Sequence, residues 1–401
     1  MSCRICCESV SNIIDLGVSP PANSLLDVPS DNIEKFPLVL EFCNNCGNLQ
    51  LRDCLDINDL YKHYYYVTPK SNTLENHYEF LTRFLEQKNY LNKNSNVLEV
   101  GSNLGLYLQF IKKRAKSILG IDPATNIVKK ANQNGIPTIC NFFNQELADD
   151  FNKDEKSFEL IIARHCFAHN SSPHNLLKGV KKILSKDGYV VIENAYALNT
   201  IENNEFDQIY HEHMFYFSIR SMNEAFKING LQLHDVCLSL IHGGSIVFVA
   251  SHASAQRKES KSLLMHLSHE KQNLNLKALD SFAKNTFTLK KDLNILISDL
   301  IKKGKKIYTY GATAKGNTLL NFLGITKKQI EYCIDSTEIK QGKYLPGSNI
   351  KIESEEFALK NPPDYFLLTA WNYKDEIITK VRNAGNNDSI FIIPFPSLTI
   401  I

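Results

Sequence analysis

The chain reads as a multidomain α/β protein with a small cysteine-rich module at its N-terminus, and three observations carry that reading. At 401 residues it is too long for one hydrophobic core, so two or three domains are expected. Strand-like apolar runs alternate with helical-period segments twice, first from about Asn72 and again from Lys305. Six of the ten cysteines fall within the first 54 residues, beside turns rich in Pro and Asn. Weak local periodicity there indicates a small domain that needs an extra staple.

The elements follow in order. "TLENHYEFLTRFLEQ" carries apolar residues at helical spacing, and "SNVLEVGS" is a short buried strand ending in glycine. "LYLQFIKKRA" is the next helix and "SILGIDP" the next strand, which completes a parallel α/β unit. "FELIIARH" and "GYVVIENAY" continue the alternation as strands. From about Ala253 to Lys303 the chain is polar, Lys-rich and helical in period, a helical connector. A second α/β unit opens at "KKIYTYGATAKGNTLLNFLG", with later strands at "IEYCIDS" and "DYFLLTAW". The expected boundaries are 1–70, 71–255, 256–302 and 303–401.

Composition narrows the function classes. Hydrophobic residues make up 43% and charged residues 22%, as in an ordinary soluble globular protein. The formal net charge is +2 and the densest basic block is only Lys302 to Lys306, which argues against nucleic acid as the main partner. No apolar run reaches the roughly 18 residues of a membrane span, and "MSCRICCESVSN" is not a signal peptide. Ten cysteines in such a chain point to thiol or metal chemistry in a reducing cytoplasm.

"CRIC" supplies Cys3 and Cys6, and "CNNC" supplies Cys43 and Cys46. Two C-x-x-C pairs on turns can converge four thiolates into a tetrahedron, the geometry of a closed structural Zn2+ site. Cys7 competes with Cys6 but breaks the two-residue spacing, and a cluster of buried thiols without metal is the plain alternative.

"VLEVGSNLGLYL" sets Glu99, Gly101 and Gly105 across a strand end and a helix start, with Ser102 and Asn103 in the turn. Glycine there admits a ligand close to the backbone, and the helix start offers free N–H groups. The stretch lacks the G-x-G-x-x-G of a dinucleotide site. Its E-x-G-x-x-x-G instead resembles motif I of class I methyltransferases, which bind S-adenosylmethionine. Asp122, ending the next strand, is placed for the two ribose hydroxyls, and Phe143 and Asn144 of "CNFFNQEL" for the adenine pocket.

"IYHEHMFYFS" places His211 and His213 either side of Glu212, between Tyr210 and Tyr216. Read from the residues, it is a metal clamp, a base with its supports, or a polar strand edge. "YGATAKGN" is a strand, a small-residue turn and a helix, in which Lys315 and the helix start suit a diphosphate. The same turn also reads as a tight packing corner.

Taken together, these peptides resemble one family nearly end to end: the S-adenosylmethionine-dependent C-methyltransferases of deoxysugar biosynthesis, which act on nucleotide-linked 4-keto sugars. "CRIC…IIDLGVSPPANSLL…FPLVLEFCNNCGNLQL" is similar to the family's zinc-binding domain and "FDQIYHEHMFYFS" to its F-D-x-I-Y-H-E-H-x-x-Y-F-S signature. "YGATAKGNTLLNFLGI", "YCIDSTEIKQGKYLPG" and "WNYKDEI" are similar to its C-terminal domain. The resemblance implies a zinc module, a Rossmann-like methyltransferase domain and a second Rossmann-like domain that helps bind the sugar nucleotide. It departs at "YYYVTPKS", where the family often has two serines after the tyrosine, and at "HCFAHNSSPH", where N-V-x-A-H-I-x-D is common.

A sugar carbon becomes nucleophilic only after losing a proton, and a neighbouring ketone allows that loss by accepting charge as an enolate. A base near the carbon and donors near the oxyanion are required. By the resemblance, His213 is the base, Glu212 orients it or holds the sugar, and Tyr210 stabilises the enolate. His169 is a donor to the ketone oxygen and Tyr66 lies in the active site, while His211 faces away. Tyr196, Gly311, Ala312, Lys315 and Asn317 are assigned to the substrate. The implied reaction is methyl transfer to the third sugar carbon beside a ketone at the fourth, with O- or N-methylation of a related carbohydrate as the alternative. A monomer is expected.

Overall fold

The computed structural model describes residues 2–56 and 71–401, so Tyr66 lies outside the described residues. Three sheets organise them. The N-terminal sheet is antiparallel: β1 (Ser11–Ser19), β2 (Phe36–Phe42) and β3 (Leu49–Leu51) are followed across the sheet by β9 (Phe215–Tyr216). This last strand comes from the end of the Y-H-E-H segment, more than 160 residues downstream of β3.

The central sheet contains β4 (Asn96–Val100), β5 (Ser117–Asp122), β6 (Thr138–Cys140), β7 (Phe158–Arg164), β8 (Leu184–Ala195), β10 (Leu231–Ser239) and β11 (Ser245–His252). Their order is β10-β11-β8-β7-β4-β5-β6, parallel from β8 to β6 and antiparallel where β11 meets β8 and β10. Alternation assigns the two faces. Val97, Leu160, Ile162, Val191 and Val247 pack with the Asn72–Gln87 helix, which presents Leu74, Tyr78, Leu81 and Leu85 at helical spacing. Their neighbours Leu98, Ile161, Ala163, Ile192 and Phe248 fill the opposite core. Leu81 and Leu85 are fully buried, worth about 1.5–3 kcal/mol each. Ser71 starts the helix by accepting from Leu74 N at 3.2 Å.

The connector forms two helices, Lys261–Asn273 and Leu276–Lys302. The longer one buries Leu279, Phe282, Thr286, Leu289, Leu293, Ile297 and Leu300 along a single face. The C-terminal sheet contains β12 (Ile307–Tyr310), β13 (Tyr332–Ile334), β14 (Lys351–Glu353), β15 (Tyr365–Leu368), β16 (Ile390–Ile393) and β17 (Thr399–Ile400). In the order β14-β13-β12-β15-β16-β17, only β17 is antiparallel. Both Rossmann-like sheets therefore reverse strand order beside their first strand, between β4 and β7 and between β12 and β15. Such switch points open a crevice at the strands' carboxyl ends.

The domains are tied to one another. Trp371 Nε1 donates to Asp207 at 2.7 Å, and Leu26 and Tyr344 exchange backbone hydrogen bonds at 2.8 and 2.9 Å. Among the described residues no helix is long and apolar enough to cross a membrane.

Candidate active site and metal centre

The sulfur atoms of Cys3, Cys6, Cys43 and Cys46 all lie within 4.8 Å of one another. Cys7 is not in this group. Gly47 at φ +74° lets the Cys43–Asn48 turn close, with Cys43 N donating to Asn48 O at 2.8 Å. Burial pushes the Cys43 thiol up to about 11, so a cation would help hold it as a thiolate. Four sulfurs with no open position fit a structural Zn2+.

A cavity of about 760 Å³ lies at the carboxyl ends of β4, β5 and β7. Gly101, Ser102, Asn103, Asp122, Phe143 and Asn144 all line it. Gly101 has φ +68°, and a Cβ there would come within 2.6 Å of Cys166 Cβ, so this turn needs glycine. Asp122 accepts from Asn103 N at 2.9 Å and Ala124 N at 3.0 Å, and its burial raises its pKa. Ser102 Oγ packs over Gly120, buried with no protein partner.

Glu99 and Gly105 are placed behind this lining. Buried Glu99 holds Arg164 through contacts of 2.9 and 2.8 Å to Nε and Nη2, and Arg164 lines the cavity. Gly105, at φ +70°, caps the Leu106–Ile111 helix against Ile136. Sequence reading missed Arg164 and Tyr78, which also line the cavity, because neither falls in the glycine motif.

A second cavity of about 410 Å³ runs from the Y-H-E-H segment to the switch point of the C-terminal sheet. Tyr210, Glu212, His213, His169, Gly311 and Lys315 line it. His213 Nδ1 lies 3.0 Å from Gln208 O. A carbonyl only accepts, so Nδ1 carries the proton and the Nε2 lone pair faces the Tyr210 hydroxyl at 2.7 Å. Burial, then His169 and Lys315, hold the His213 pKa well below its ordinary value. Burial lowers His169 to about 4, and its ring centroid is 5.0 Å from that of His213. Both rings are neutral at physiological pH.

The geometry corrects part of the expectation for Glu212. Gln208 O, not Glu212, orients the His213 ring. Glu212 accepts from Asn23 Nδ2 at 2.9 Å, and its other oxygen is buried without a partner. Burial raises its pKa.

Tyr196 is also corrected. It is buried away from both cavities and donates to Glu270 at 2.9 Å, a carboxylate that also caps the Ile219–Ile228 helix through Arg220 N at 3.1 Å. Asn317 is wholly buried in the Ala314–Leu323 helix, away from the cavity lining. Ala312 holds the turn together, its N–H bound to Asp335 at 2.7 Å and its carbonyl to Lys340 Nζ at 2.8 Å. His211 packs against Phe36, outside both cavities.

Three family models cover most of the chain: a putative zinc binding domain over residues 3–61, a methyltransferase domain over 73–236, and a C-methyltransferase C-terminal domain over 240–396. The C-methyltransferase NovU of Streptomyces niveus is 33% identical over 404 residues, covering 100% of this chain and 96% of that protein. This chain belongs to the C-methyltransferase family. Solved structures give weaker likenesses. An S-adenosylmethionine-dependent methyltransferase from Anabaena variabilis is 15% identical with a TM-score of 0.38, covering 49% of this chain and 91% of that one. The plantazolicin methyltransferase BpumL is 14% identical with a TM-score of 0.35, covering 45% and 84%. At those scores they support no further reading.

The chain is therefore an S-adenosylmethionine-dependent C-methyltransferase, and its four-cysteine cluster is consistent with a structural zinc site. Asp122→Asn should weaken S-adenosylmethionine binding about 10- to 100-fold, the cost of losing one charge-assisted hydrogen bond of about 1.5–3 kcal/mol. Titration calorimetry checks this, with unchanged zinc content as the control for folding.

Proposed function

We propose that this C-methyltransferase methylates the third carbon of a nucleotide-diphosphate 4-keto sugar, with His213 as the base. The observation that carries the reading is the fixed tautomer of His213. Its Nδ1–H is spent on Gln208 O, which leaves a neutral ring with a lone pair at Nε2 inside the second cavity. Removing the proton at C-3 places charge on the C-4 oxygen. Tyr210 and His169, both lining that cavity, would turn their donors to this oxygen. The unpartnered oxygen of Glu212 would accept a sugar hydroxyl. The Gly311 turn and Lys315, whose Nζ also donates to His242 O at 2.8 Å, line the same cavity and suit the diphosphate. S-adenosylmethionine supplies the electrophilic methyl group when bound.

The test is exchange. Thymidine-, guanosine- and cytidine-diphosphate 4-keto sugars are incubated with enzyme in D2O without methyl donor, then with a 13C-methyl donor. Deuterium at the carbon beside the ketone, and later a methyl on that carbon, is the expected result. No exchange on any sugar, or a methyl on oxygen or nitrogen, would replace this reading with O- or N-methylation.

A further inference from the structure

Among the described residues, His165, His169 and His242 alone line both cavities. They stand where a methyl group leaving one ligand must enter the other. His169 has a place in the reading above, but His165 and His242 have none.

Both are held in unusual backbone. His165 follows the end of β7 at φ +51°, and His242 lies in the turn between β10 and β11 at φ +56°. Left-handed conformation at a histidine persists only where the surroundings enforce it. Here they do so independently at the two positions. His165 N donates to Glu193 O at 2.7 Å, and His242 O accepts Lys315 Nζ at 2.8 Å from the C-terminal domain. The two rings meet edge to face, with centroids 4.6 Å apart and planes at 88°. His165 Nε2 is buried with no hydrogen-bond partner, and lies 3.7 Å from the fully buried Glu193, which His77 Nε2 holds at 3.0 Å.

We propose that His165 and His242 form a collar around the transferring methyl group, contacting the sulfonium end of the cofactor and aligning it with the sugar carbon, without taking part in proton removal. A sulfonium spreads positive charge onto its methyl hydrogens. Neutral rings offer that group a lone pair and π faces, whereas an imidazolium would repel it. The surroundings keep both rings neutral. Burial and then Lys315 take His242 down to about 3, and burial and then His242 hold His165 well below its usual value.

The substitutions that test this are His165→Gly and His242→Asn, because glycine and asparagine tolerate positive φ and remove the ring. S-adenosylhomocysteine lacks the methyl, so its affinity should stay within about two-fold. Affinity for S-adenosylmethionine should fall about ten-fold, both read by calorimetry on the full chain. Equal loss for both cofactor forms, or loss for neither, overturns the collar. This comparison needs no sugar, so it stands or falls apart from the proposed substrate. The second measurement rests on that proposal: sugar exchange in D2O should survive in both variants while methyl transfer drops, raising the exchange-to-transfer ratio about 100-fold. Parallel loss of exchange and transfer would make these residues part of proton removal and overturn the assignment.

Discussion

Replacing His213 by Gln should abolish both solvent exchange at the sugar carbon and methyl transfer, a loss of roughly 10²- to 10⁴-fold typical of a positioned general base. Glutamine preserves a donor toward Gln208 O but has no basic lone pair to put in place of Nε2. Cofactor affinity should change little, because His213 lines the second cavity and not the first. The pH dependence gives an independent check. A base works only when deprotonated, and burial with neighbouring His169 and Lys315 holds the His213 pKa below the ordinary 6.5. Turnover limited by this group should therefore stay level as pH falls from 8 through 6.5, and drop only below the lowered pKa. An acid limb centred near pH 6.5 would mean that His213 is not the base, or that it is solvated during turnover. Tyr210→Phe removes an oxyanion donor and frees Nε2 from its 2.7 Å partner, so exchange and transfer should both slow, though less than in His213→Gln, because the enolate forms in the exchange step.

How much of this was legible in the sequence depended on whether the signal was local. The turn Val100–Gly105 carries its own explanation, because glycine at positive φ and an acid at the next strand end lie within 25 residues. The four cysteines were legible from spacing alone. Tyr196 was not, because its partner Glu270 sits in a polar helix whose sequence gives no sign of a fully buried carboxylate. Of the two roles read for Glu212, orienting His213 does not match the fold for a related reason, while holding the sugar stands as proposed. In the peptide it neighbours His213, but the fold turns it to Asn23 in the N-terminal module and gives His213 to a backbone carbonyl. Carbonyl partners leave no trace in residue identity. His165 and His242 were invisible as a pair, since positive φ at histidine is imposed by tertiary contacts and their separation in sequence carries no motif. The pairing of β9 with β3 was equally hidden: two aromatic residues after Y-H-E-H have no strand signal until the N-terminal sheet supplies an edge.

That pairing ties the cysteine module to the segment proposed to carry the base, and removing the metal should show it. Cys46→Ser should lose zinc and reduce methyl transfer at least 100-fold, while cofactor affinity falls by no more than about ten-fold. The chain of contacts is short. Cys43 and Cys46 close the turn that leads into β3, and β3 pairs Leu49 with Tyr216 and Gln50 with Phe215. Leu51 N donates to Met214 O at 3.0 Å, and Arg4, between the first two cysteines, donates to the same carbonyl at 3.3 Å. Its guanidinium lies 5.0 Å from the Phe215 ring centroid. Met214 directly follows His213, so these bonds fix the backbone from which His213 projects. Asn23 of the same module also holds Glu212. A structural zinc contributes on the order of 10 kcal/mol or more of folding free energy to a small module, far above what a short three-strand sheet retains alone. Without it, β9 loses its edge and the Tyr210–Met214 segment loses its anchor. The cofactor cavity depends mainly on β4, β5 and β7, although Cys54, Leu55 and Asp56 of the module also line it, hence the smaller effect on affinity. Metal analysis, calorimetry and a methyl-transfer assay on the same Cys46→Ser protein decide the matter. Full activity without zinc would show that β9 keeps the catalytic segment in place unaided.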